Sequence, residues 1–191
     1  MPVRLIVEKG PHEGVSRADV ARRARAMLAA VQMGDRELSI LLTGDDQIQK
    51  LNRIYRGKNR PTDVLAFSQH EGELGDRTDR LLGDVVVSVP TARRQAAEHK
   101  RELGAELTML LAHGLLHLLG WDHETASEDR RMRVETKRLC AAADASAPRA
   151  GRQAGRAGGP LEGRLKRTLK SSSASRANGD STSRRPSRTA R

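Results

Sequence analysis

At 191 residues the chain is long enough for one domain with a proper core and too short for two sizeable ones. Its hydrophobic fraction of 37% is low for a wholly folded chain, and its net charge of +11 is uneven: from Asp144 onward twelve Lys/Arg stand against three Asp/Glu. The single cysteine, Cys140, excludes an intrachain disulfide, and neither a signal-peptide core nor an apolar run near the ~20 residues of a membrane span is present. A soluble, cytoplasmic protein with no membrane partner is the expectation.

In chain order, VRLIVE over 3–8 reads as a first strand by its β-branched content. Ser16, with Asp19 three residues on, resembles a capping box and opens a helix through about Gln32, with Val20, Ala24, Met27, Leu28 and Val31 on one face. ELSILLT over 37–43 is a second strand, and a short helix follows over 45–56. Pro61 breaks that pattern, VLAFS over 64–68 alternates like a strand, and GDVVVSV over 83–89 is the clearest strand of all. Pro90 suits the first turn of a helix whose composition continues to Leu119, with a break expected near Gly104. A last amphipathic helix is expected over 127–141. The fold class is therefore α+β, close to α/β: one mixed, mostly four-stranded sheet packed with about five helices.

Two regions follow from this pattern. Residues 1–143 form a single globular domain, and 144–191 form an Arg/Ser/Gly-rich basic tail. The tail has too few large apolar residues to offset its ordering entropy, so disorder is expected there. It either trails in solvent or tethers nucleic acid by releasing counterions.

The informative stretch is HGLLHLLGWDH, residues 113–123, where three of the six histidines crowd into an apolar segment. Buried imidazoles without partners cost roughly 1–3 kcal/mol each, so a shared ion is the better account. His113 and His117 are four apart, hence on one helix face and about 5–6 Å apart at Cβ. Gly120 can end the helix in a left-handed cap and fold His123 back onto the first two. Three histidines with a free fourth position describe a catalytic zinc, one per chain. The spacing also matches the metzincin proteases, but Gly114 stands where a protease needs its glutamate base, which argues against peptide hydrolysis. Gly114 itself serves either close approach of a substrate or helix packing. His12, His70 and His99 read as ordinary structural histidines.

A second cluster, LNRIYRGKNRPTDVLAFS over 51–68, gathers Arg53, Arg56, Lys58 and Arg60 before a turn and strand. Guanidinium groups hold phosphate oxygens in pairs and offset charge on a reacting phosphate. The order N-x-x-Y-R-x-K-x-x-P-T-D-V-L-x-F, then L-G-D-V-V-V, then H-G-x-L-H-L-x-G-x-D-H resembles the YbeY family of zinc-dependent endoribonucleases from about residue 37 to 140. The resemblance implies zinc held by His113, His117 and His123, with Arg56 and His113 essential to catalysis. It implies single-strand-directed cleavage in late maturation of small-subunit (16S) ribosomal RNA and in ribosome quality control. The partners it implies are ribosomal RNA and the small subunit, with ribosomal proteins and a ribosome-assembly GTPase as further candidates, and no DNA. Asn59, Ala66 and Ser68 depart from the family pattern, which bears on the cleft's shape and not on the metal.

Metal-assisted RNA cleavage is the reading that results, with Arg53, Lys58 and Arg60 as contacts to flanking phosphates. The general base stays open among a hydroxide on the ion, Asp122, Glu124 and the RNA's own 2′-hydroxyl. Asp63, Asp84 and Asp122 are either partners of the ligand histidines or turn residues. Aromatic side chains are only Tyr55, Phe67 and Trp121, too few for a stacking platform, so weak sequence specificity is expected. Two other readings stand beside this one: a zinc-stabilised, non-catalytic ribosome-assembly factor, and a zinc hydrolase with another substrate.

Overall fold

The computed structural model of the chain describes residues 3–10, 12–69 and 80–147. Four strands, β1 (Val3–Val7), β2 (Glu37–Thr43), β3 (Val64–Ser68) and β4 (Leu81–Ser88), form one sheet in the order β1-β2-β4-β3. β1, β2 and β4 run parallel, and β3 joins the edge of β4 antiparallel. Five helices accompany them: α1 (Arg17–Ala30), α2 (Asp45–Arg56), α3 (Val89–Glu98), α4 (Leu103–Leu118) and α5 (Ala126–Ala145). The mixed sheet and its helices match the fold expected from the pattern. No helix among the described residues is long and apolar enough to cross a membrane.

Strand alternation divides the core between two faces. Ile40, Leu42, Val85 and Val87 point to the main core, which they share with Met27 and Leu28 of α1, Leu110 to Leu116 of α4 and Leu139 of α5. Leu41, Leu65 and Val86 point the other way, where Ile48 of α2 covers them. α4 is apolar nearly all round because it lies between the sheet and α1, α3 and α5.

Helix ends account for the differences from the expected boundaries. The break before α4 falls at Lys100, not at Gly104. Lys100 takes φ +54°, its N–H reaches the Ala97 carbonyl, and the Arg101 N–H reaches that of Ala96. α1 stops the same way, two residues short of the expected end, with Gln32 at φ +60°. Ser16 caps α1 by accepting from the Asp19 N–H at 3.2 Å, while the Asp19 carboxylate turns to Arg22 and Arg23. A complete capping box starts α5 instead, between Thr125 and Glu128. α5 runs on through Ala145, with Ala143 in the core and Asp144 paired to Arg23, so helix passes the domain limit expected at 143. The tail beyond 147 and His70 lie outside the described residues.

Candidate metal centre

α4 carries His113 and His117 on its last turns, and their Nε2 atoms stand 3.2 Å apart. Beyond Leu118 the chain reverses sharply. Gly120, at φ +79°, donates its N–H to the His117 carbonyl, and the Trp121 N–H reaches the Leu116 carbonyl, each at 3.0 Å. The Asp122 carboxylate then accepts from the His123 N–H at 2.7 Å and fixes the direction in which that residue leaves the turn. The His123 ring comes to rest 5.6 Å from that of His113 and 5.3 Å from that of His117. One ligand nitrogen from each histidine lies within 4.8 Å of the others.

The donor chemistry fits a divalent metal. Burial holds His113 below the ordinary histidine range, helped by the charges of His117 and His123 and opposed by Asp63. Burial likewise lowers His117, with His123 and Arg56 acting downward and the Trp121 backbone and Asp122 acting upward. Both rings are therefore neutral at pH 7 and offer lone pairs. With two Nε2 atoms facing each other, a single hydrogen serves only one lone pair, whereas a cation serves both. Two nitrogens on one tetrahedral zinc, at ~2.0–2.1 Å each, stand about 3.3–3.4 Å apart, close to the observed spacing. An all-imidazole set suits zinc, copper, nickel or iron.

Gly114 is explained by packing. A Cβ there would sit 2.8 Å from Val85 Cγ1 and 3.3 Å from Val64 Cγ2, so α4 lies directly on the sheet at this point. A glutamate could occupy the position only by lifting the helix off the strands. The absence of the protease base thus follows from the contact between α4 and the strands.

Of the four basic residues singled out in the sequence, Arg56 alone reaches the site. It closes the last turn of α2 and lines a cleft of about 610 Å³ with His117, His123, Trp121, Asp122 and Glu124. Arg53, Lys58 and Arg60 are exposed on the same helix end and turn but line none of that cleft. The turn is held from beneath by buried Asn52, whose side-chain amide donates to the Arg60 carbonyl at 2.8 Å. Gln49 donates to the side chain of Asn59 at 3.1 Å. Asp63 is a turn residue, accepting from the Val64 N–H at 2.8 Å and from Gln95 at 3.0 Å, though its charge is felt at His113. His99 is structural, its Nδ1 3.3 Å from the fully buried Glu106 carboxylate. The wall formed by Trp121, with Arg131 5.6 Å over its ring, was not read from the sequence; an aromatic beside the ligand turn was the available sign.

A family model described as Endoribonuclease YbeY matches residues 10–144. A protein of Anaeromyxobacter sp. (strain Fw109-5) named Endoribonuclease YbeY is 47% identical over 142 residues, covering 74% of this chain and 72% of that protein. One of the same name from Geobacter sulfurreducens is 44% identical over 114 residues, covering 60% and 76%. A solution structure of a Thermotoga maritima protein aligns with TM-score 0.50 and 26% identity over 74% of this chain and 88% of that one.

Proposed function

The chain belongs to the YbeY endoribonuclease family, and from that membership we propose that it cleaves single-stranded regions of ribosomal RNA. Late maturation of the small-subunit RNA and quality control of assembled ribosomes, in the cytoplasm, are the settings we assign. Ribosomal RNA and the small subunit are its partners in this reading, with ribosomal proteins and an assembly GTPase as further contacts. The observation that carries the proposal is the meeting of Arg56, on one cleft, with His117 and His123 of the three-histidine cluster.

His113, His117 and His123 hold the metal. One zinc per chain would supply Lewis acidity toward a phosphodiester oxygen. The Arg56 guanidinium grips the scissile phosphate through two oxygens and offsets the charge that builds there. Arg53, Lys58 and Arg60, exposed beside it, bind flanking phosphates and set register without reading sequence. Asp122 accepts from the His123 N–H through one oxygen and Glu124 has no partner among the described residues, so both are cleft carboxylates able to take a proton.

The test is cleavage of a ribosomal RNA precursor by zinc-loaded protein, with His113→Ala and Arg56→Ala beside the wild type. Loss of at least about a hundredfold in both variants, with unchanged melting temperatures for Arg56→Ala, is the expected result. Equal activity in all three would show a contaminating nuclease and remove the support for this site. Metal analysis of the purified protein checks the ion.

A further inference from the structure

The histidines have a second side. His117 faces the Arg56 cleft, His113 faces another cleft of about 620 Å³ between α4 and α5, and His123 lines both. The two hollows differ in chemistry. The Arg56 cleft is walled mainly by charged and polar groups, whereas the second offers a mostly apolar surface, to which Ala105, Met109, Met132, Cys140 and Ala141 contribute, with His99 and charged side chains around it. Two hydroxyls in it are already engaged within their own helices. Thr108 donates to the Gly104 carbonyl at 2.6 Å and Thr136 to the Met132 carbonyl at 2.8 Å.

Positive charge stands at the rim. Arg101 and Lys137 line the hollow from its two walls, Arg101 being paired to the buried Glu106 carboxylate at 3.4 Å. The acidic groups beside them are spoken for: Asp129 pairs with Arg133, and Asp144 with Arg23. Lys137 has no ion-pair partner among the described residues. Its volume is ample for a planar ring system with an attached sugar, within the ~300–1,000 Å³ usual for small-ligand sites.

We propose that the hollow between α4 and α5 takes the nucleobase of a nucleotide flanking the scissile phosphate, with Lys137 on that nucleotide's backbone. This rests on the RNA-cleaving reading above and adds to it a direction for the strand. The phosphate lies with Arg56 on one side of the histidines, and the neighbouring base turns into the apolar hollow on the other. Methionine side chains adapt to different ring shapes and contact π-faces favourably. With the nearby hydroxyls engaged, the pocket holds a base without reading its edge. It therefore supplies what the missing aromatic platform would otherwise provide, and it leaves sequence preference weak.

Ala105 and Ala141 are exposed alanines on opposite walls of the hollow, so a large side chain at either fills it from outside without entering the core. The experiment uses full-length, zinc-loaded wild type, Ala105→Trp and Ala141→Trp on a single-stranded oligoribonucleotide whose cleavage position is first mapped. The same oligonucleotide is then made with an abasic ribose at each position beside the cut. On intact RNA each plugged variant should lose roughly tenfold in kcat/KM. On the RNA abasic at one flank, wild type should fall by a similar factor and the variants by little more, because the base and the pocket are one interaction. Two plugged variants that fold and cleave intact RNA at the wild-type rate would overturn the proposal and leave the RNA-cleaving reading standing. Equal losses on intact and abasic RNA would overturn it too. A wild type that neither binds nor cleaves any of these RNAs would overturn both.

Discussion

At Gly114 a single missing methyl group decides which chemistry the histidine motif can support. The ligand spacing along α4 is shared with peptide-cleaving enzymes, yet the close contact with Val85 and Val64 bars the side chain those enzymes need. Gly114→Ala should therefore cost about 1–3 kcal/mol in stability by overpacking, despite alanine's better helix propensity. A denaturant titration measures it, and a variant as stable as wild type would show that the helix yields freely. The site was legible from the sequence at this scale because His113, His117 and Gly120 are fixed relative to one another by helix geometry alone. The fully buried Glu106 was not legible, since its partners His99 and Arg101 sit across a chain reversal.

Among the elements, the junction of α2 with β4 and α3 turns on Asp45. Its carboxylate accepts from Ser88, from Thr91 at 2.7 Å and from Arg94 at 2.9 Å. Burial pushes this acid upward, but those donors outweigh it and hold the carboxyl below its ordinary value. A lowered folded-state value stabilises the protein above the unfolded carboxyl's range near ~3.9, and the contribution is lost as pH falls through the folded value. Asp45→Asn should therefore lower stability by about 1–2 kcal/mol at pH 7. The gap between variant and wild type should close below about pH 4. Melting curves from pH 3 to 7 test it, and a gap independent of pH would assign the loss to shape alone. Four of the described helices end in a left-handed turn, at Gln32, Gly57, Lys100 and Gly120. Only the two glycine turns carry a sign in the sequence, because glycine announces a positive φ and Gln or Lys does not. The capping box of α5 carried its sign, Thr125 three before Glu128, in plain view.

For the whole molecule, the sequence showed how many strands and helices there are but not which strands are neighbours. β4 lies between β2 and β3, so the last strand is central and its continuous apolar run, buried on both faces, is the consequence. Among the described residues α2 packs on the second face against Leu41, Leu65 and Val86, and its last turn brings Arg56 to the cleft of His117 and His123. Charge is divided on this scale as well. Ending the chain at Ala147 removes most of the net positive charge and none of the described core. RNA affinity should then fall and its dependence on salt become shallower, with the melting temperature kept. Binding isotherms at several salt concentrations, for both lengths, measure the difference. An unchanged slope would place the phosphate contacts wholly on the folded body.

The three clustered histidines do not share one rigidity. Two belong to a helix packed on every side, and the third rides on an exposed turn that connects α4 to α5. Capture of a metal should therefore have an order in time, with the helix pair engaged first and His123 on its turn completing the set. Chelation should loosen that turn first. In hydrogen exchange followed by mass spectrometry, the amides of 120–125 should exchange faster after metal removal while those of α4 keep their protection. Uniform loosening of both would mean that the ion braces the helix and not the turn.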